Sequence, residues 1–188
     1  MKKIAMLVCL LLPAAYFVQA QSKYFTRTGA VSFNAEGAMD DIEEVKAATK
    51  TATCVADQAS GQMEWAVLLK GFQFKNALMQ EHFNENYVES DKFPKATFKG
   101  QIDNHANVKW TTDGTYPVVV NGKMTLHGIT KDLVAKGTVQ VKSGKPALAS
   151  DFFVKLSDYD IKIPSVVGTK IANEIKISVN ANLEPFKK

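Results

Sequence analysis

From Phe25 to the C-terminus, apolar and polar side chains alternate with a period of two, and this constrains the fold more than any other feature of the chain. One parity carries Val31 and Phe33; Ala52, Cys54 and Ala56; Met63, Trp65, Val67 and Leu69; Ala96, Phe98, Gly100 and Ile102; Val108 and Trp110. It continues through Tyr116, Val118 and Val120; Leu133, Ala135, Val139 and Val141; Phe152, Val154 and Leu156; Ile175, Ile177, Val179 and Leu183. A period of two puts one face of a strand in a core and the other in water, so about eight or nine strands of antiparallel sheet are expected.

One local signal conflicts with this pattern. Asn121-Gly122 is a strong two-residue hairpin signal, yet a turn there would pair Val120 with Lys123 and Val118 with Thr125, setting polar partners on the apolar face. A continuous strand keeps Tyr116, Val118, Val120, Gly122, Met124 and Leu126 on one side, with Gly122 a bend or a close approach. The turn is expected later, around His127-Gly128-Ile129-Thr130-Lys131. Two segments lack alternation. Asp40 to Lys50 opens on a capping box, Asp40 with Glu43, and reads as a short helical turn or ordered loop. Asn76 to Tyr87 spaces Leu78, Met79, His82 and Phe83 as one stripe of a short helix, which could close an end of the sheet.

An apolar sheet face must be hidden, and two short helices cannot cover it. The sheet either splits into a sandwich or curls into a barrel. The long run from Thr115 to Leu126 favours the tilted staves of an eight-stranded antiparallel barrel, an all-β fold. The inner parity mixes large residues with Ala52, Cys54, Ala56, Ala96, Gly100, Gly122, Ala135, Gly137 and Ala181. Barrels of this size are either filled by side chains or hold one small apolar ligand, and the pattern leaves both open.

The chain of 188 residues, 46% hydrophobic and 22% charged, suits one domain with a sizeable core. Residues 1–20 read as a signal peptide: Lys2 and Lys3 precede the apolar run Ile4 to Val18, and Val18-Gln19-Ala20 suits a cut, leaving residues 21–188 as the domain. No later stretch is long enough to span a bilayer. An oxidising compartment would find no internal disulfide, because Cys9 leaves with the leader and Cys54 remains alone. The formal charge of +4 includes Lys2 and Lys3, and the remaining lysines are scattered without a basic stripe, which argues against nucleic acid.

Catalytic chemistry finds no support in the motifs. His82, His105 and His127 are not at metal-ligand spacing, and Cys54 has the parity of a buried, inert thiol. Asp158 and Asp160 flank Tyr159 near a turn, where solvated or capping roles prevail. No nucleophile elbow, phosphate loop or dinucleotide fingerprint occurs.

Four pieces, in order, resemble the YceI-like family: Phe72 to Tyr87; Phe93-Pro94-Lys95-Ala96-Thr97-Phe98-Lys99-Gly100; Val120 to Lys131 with Leu126-His127-Gly128-Ile129-Thr130-Lys131; and Leu156-Ser157-Asp158-Tyr159-Asp160-Ile161. The likeness covers nearly all of residues 21–188, and the chain departs from the commoner Arg-Asp pattern at His82-Phe83-Asn84-Glu85-Asn86-Tyr87. The resemblance implies an exported, periplasmic or secreted, lipocalin-like barrel whose pore holds a long polyisoprenoid, and no enzyme. It implies no cofactor other than that lipid. The residues expected to line the pore are Phe33, Trp65, Val67, Leu69, Phe72, Phe74, Phe98, Ile102, Val118, Val120, Met124, Leu126, Phe152, Val154, Ile175, Ile177 and Val179. A polar head would meet Arg27, Lys131 or Lys170 at a mouth. Two other readings stay open: an enzyme on an apolar substrate using His82 or His127, and a filled barrel serving as a structural or interaction protein of the envelope. Homo-oligomerisation through a barrel face is also left open.

Overall fold

Most inward-facing apolar positions meet their like across a neighbouring strand, and the ladders that result close on themselves. The computed structural model describes residues 23–36, 45–163 and 171–186. Its strands are β1 (Lys23–Glu36), β2 (Lys46–Asp57), β3 (Gln62–Leu68), a short β4 (Gln73–Phe74), β5 (Lys95–Ile102), β6 (Gly114–Leu126), β7 (Ile129–Lys142), β8 (Lys145–Lys155), β9 (Ile171–Asn182) and a short β10 (Glu184–Pro185). The antiparallel order β1-β9-β8-β7-β6-β5-β3-β2 returns to β1 through the β1–β2 ladder, giving a closed eight-stranded barrel. Closure gives every long strand a partner on each side, which spares the sheet the open edges that invite aggregation. The two-residue strands sit outside the ring: β4 pairs with β2 at Ala47 and Ala48, and β10 with β1 at Tyr24 and Phe25.

β6 runs through Asn121-Gly122 without a turn, paired along its full length with β7 from Gly114↔Val141 to Leu126↔Ile129. The hairpin turns at His127-Gly128, tighter than the five-residue turn that the sequence suggests. Both residues have positive φ, 50° and 75°, as a two-residue turn between twisted strands demands. Gly122 is a close approach. It lies opposite Gly100, and a Cβ on either would strike the Phe98 ring, so two facing glycines make the niche in which that ring lies against the wall.

The two ends of the barrel differ. The lower end is crossed by the segment between β5 and β6, with a 3₁₀ turn at His105–Asn107. Val108 and Trp110, expected on a strand, belong instead to this crossing. Trp110 stacks on Tyr24 with centroids 5.4 Å apart and, with Cys54, Ala56, Met63, Ile102, Val139, Val141 and Leu183, fills the lower interior. The upper end carries the longer connections, including helix α1 (Ala77–His82), a π-helical turn over Phe83–Tyr87 and a 3₁₀ turn over Leu156–Tyr159. Asn76 caps α1 by accepting from the Leu78 and Met79 amides at 2.9 and 3.4 Å, and of the expected stripe Met79, His82 and Phe83 border the barrel interior while Leu78 is exposed.

The short helical turn or ordered loop expected over Asp40 to Lys50 is corrected in part: Lys46–Lys50 is strand, its alternation continuing that of Ala52, Cys54 and Ala56. Asp40 and Glu43 lie outside the described residues, as do residues 1–20, Cys9 and Lys170.

Candidate functional site: an apolar cavity under an aromatic mouth

Side chains fill the lower barrel but not the upper. There the inward faces of β1, β3, β5, β6, β7, β8 and β9 border a cavity of about 620 Å³, within the range of small-molecule sites. Of the residues singled out in the sequence, Phe33, Trp65, Val67, Leu69, Phe72, Phe74, Phe98, Val118, Val120, Met124, Leu126, Phe152, Ile175, Ile177 and Val179 all line it. Ile102 and Val154 do not. Ile102 is 1% exposed in the filled lower cluster, and Val154 is 3% exposed in the packed upper wall.

Four phenylalanines roof the cavity. Phe33 reaches from β1, Phe72 and Phe74 come from the segment around β4, and Phe83 comes from the π-helical turn. Phe33 stacks on Phe83 at 5.5 Å and 24°, while Phe72 and Phe74 meet Phe83 at 5.8 and 5.1 Å. Such contacts hold the mouth segment to the barrel by ring packing rather than by backbone pairing. Met79, His82, Tyr87 and Val88 complete this end of the lining.

Several lining residues were not among those singled out. Val31, Met63, Leu133 and Leu148 share the inward parity of their strands and could have been included on that ground. Tyr87, Val88 and Ile161 sit in irregular segments where no period marks them.

The upper rim is pinned at His127. Its Nδ1 is 2.9 Å from the Tyr159 carbonyl oxygen and its Nε2 is 2.7 Å from Glu89 Oε2, while Phe93 packs against the ring at 4.7 Å. One imidazole thus joins three upper connections, and it is not part of the cavity lining. His82 lies at the mouth, exposed. Among the described residues no group of His, Cys, Asp and Glu is arranged to hold a metal. Burial pushes the Cys54 thiol up, away from the reactive thiolate, and burial likewise raises the Tyr87 phenol at the mouth.

Of the cations considered for a polar head, Arg27 lies on the lower half of β1, among residues that pair with the far end of β2. Lys131 is on the inward parity of β7, directly opposite the cavity residue Met124, yet exposed.

A closed antiparallel barrel with this cavity and mouth can be compared with known proteins. The sequence profile of the YceI-like domain matches residues 16–183. The chain belongs to the YceI-like family. No curated protein matches it in sequence. Among solved structures, it is similar to a polyisoprenoid binding domain from Saccharophagus degradans implicated in plant cell wall breakdown, at a TM-score of 0.75 and 13% identity over 89% of this chain and 100% of that one. It is also similar to Burkholderia cenocepacia BcnA, at a TM-score of 0.66 and 16% identity over 83% and 96% of the two chains. The Campylobacter jejuni YCEI protein gives a TM-score of 0.58 and 18% identity over 80% and 90%. At these identities the likeness establishes the YceI fold. Among the described residues, no helix of this YceI-like chain is long and apolar enough to cross a membrane.

Proposed function

We propose that this YceI-like protein binds a long apolar lipid of the isoprenoid class inside the barrel, as an exported carrier or buffer in the cell envelope and not as an enzyme. The observation that carries this reading is the cavity: about 620 Å³ of space lined almost wholly by Phe, Trp, Met, Val, Leu and Ile side chains in a barrel whose other half is tightly filled. A hydrocarbon tail has no hydrogen-bonding groups, so its affinity grows with the apolar area withdrawn from water, by about 25 cal/mol per Å². The structurally similar S. degradans protein is a polyisoprenoid binding domain, which points to the same ligand class. The leader-like residues 1–20 are the ground for export. Of Arg27 and Lys131, Lys131, exposed on the inward parity opposite Met124, is the one at the cavity end of the barrel, where a polar head would sit.

The test is to purify the protein from membranes-containing lysate, record its native mass and extract it with organic solvent. An added mass that extraction releases as a prenol, quinone or prenyl phosphate is expected. Ala96→Trp, which puts an indole into the cavity from β5, should abolish that mass while far-UV circular dichroism and urea midpoint stay near the parent values. A protein that carries no apolar compound and takes up none when offered farnesol or a longer prenol would refute the reading and leave the filled-barrel alternative.

A further inference from the structure

The barrel wall is not equally closed all round. β7 is paired with β6 from Ile129 to Val141, and β8 with β9 from Ala147 to Lys155. The β2–β3 ladder is also partial, from Thr53↔Ala66 to Ala56↔Met63, but β4 pairs with the upper part of β2; between β7 and β8 the ladder runs only from Lys142↔Lys145 to Gly137↔Ser150, with no further strand paired above it among the described residues. Above that last pair Ser150 Oγ donates to the Lys136 carbonyl oxygen at 2.8 Å, a side chain ending the seam where a backbone amide would have continued it. The upper halves, Ile129–Lys136 and Asp151–Lys155, then rise without pairing to each other until His127 meets the Tyr159 carbonyl at the rim.

Three further observations fall on this seam. The cavity reaches the head of the ladder, where Gly137, Ser150 and the next rung, Thr138 and Ala149, border it. Lys131 has the inward parity of β7 but is exposed. Finally, Val134 and Phe153, three residues above Gly137 and Ser150 on either strand, are 64% and 60% exposed, large apolar side chains flanking the gap from outside.

We propose that the seam between the upper halves of β7 and β8 is a lateral passage through which the apolar ligand enters and leaves the barrel, so that the tail slides in sideways without displacing the aromatic roof. This rests on the lipid-binding reading above and adds its route. A sideways slot suits a long chain with a polar head, because the head can stay in water throughout while successive methylenes leave it. Threading through the mouth would instead require the Phe33–Phe83 stack to part.

The seam can be tied shut from outside. In Val134→Cys/Phe153→Cys, both new thiols are on the surface, while Cys54 is 1% exposed and its thiol is pushed up by burial, so it should stay unlabelled, as labelling of the parent protein would verify. A bismaleimide with an internal disulfide bridges the two positions, and each single variant carrying the same reagent on one end controls for bulk. Uptake and release of N-phenyl-1-naphthylamine by delipidated protein are followed by stopped-flow fluorescence. The bridge is expected to slow both about tenfold or more with little change in equilibrium affinity, and cleaving it should restore the parent rates. Unchanged rates in a bridged protein that still binds the dye would overturn the passage while leaving the lipid-binding reading intact. Failure of the unbridged, delipidated protein to bind the dye or a prenol at all would sink both.

Discussion

At the scale of single residues, the wall depends on side chains that are missing as much as on those present. A methyl group at Gly122 would press on the Lys99 carbonyl oxygen, on Gly100 Cα at 2.6 Å and on Phe98 Cζ at 2.6 Å. Two of these are backbone, so relief must come from moving the strands or the ring. Gly122→Ala should therefore cost about 1–3 kcal/mol, the usual range for overpacking, read as a lowered urea midpoint at unchanged m-value. It should also weaken binding of an apolar probe, because the ring that moves is part of the cavity lining. An unchanged midpoint would mean that Phe98 does not need the niche. The sequence makes Gly122 legible only as a choice between bend and close approach. Deciding it took the register that sets Gly100 opposite, a pairing between strands that no local pattern encodes.

At the scale of elements, the parity of the staves was readable and the irregular pieces were not. Alternation follows from one face meeting a core and the other water, so it identifies most of the cavity wall from β1, β3, β5, β6, β8 and β9. It fails at Val108 and Trp110, which alternate like a strand yet plug the floor from a crossing segment. It also cannot separate Ile102 from Val120, a facing pair across β5 and β6, of which only Val120 borders the cavity. What separates them is the packing around each side chain, and packing has no signature in a period of two. The mouth segment is the weakest element, since α1 spans only Ala77–His82, well short of what an isolated helix needs to persist. Its hold is the Asn76 cap and the phenylalanine cluster. Asn76→Ala should cost about 0.5–2 kcal/mol, as lost caps do. Limited proteolysis should show it as faster cleavage within residues 77–87, with protection regained when a prenol is bound. Equal cleavage rates with and without ligand would detach the mouth from binding.

At the scale of the whole molecule, two carboxylates tie separate pieces of the chain together, Asp113 holding the crossing segment to the β7–β8 turn at the lower end and Asp151 holding β8 to β9 at mid-wall. Asp113 is held below the usual carboxylate range chiefly by the backbone amides of Ser143 and Gly144, the latter donating to Oδ1 at 3.1 Å. Asp151 is held low by hydrogen bonds from Lys176 and Ser178. A depressed carboxyl pKa adds stability that is complete above the ordinary Asp range and is lost as pH falls through the folded-state value. The melting temperature should therefore decline on acidification below that range. Because both groups are almost fully exposed, the effect should be small and screened by salt. Asp151→Asn should flatten the acid limb, and a limb that keeps its slope in the double variant with Asp113→Asn would assign acid sensitivity elsewhere.

The stacked Trp110 and Tyr24 have a consequence for any guest the barrel receives. They set a hard stop partway down the axis, so the depth available to a chain is a property of the protein and not of the chain. Homologous prenols offered in series should then gain affinity with each added unit only until the tip reaches the side chains packed above that indole, Met63, Val118 and Leu148 among them. Beyond that length every further unit must hang outside in water, and the gain should level off, making the plugged end a gauge of chain length.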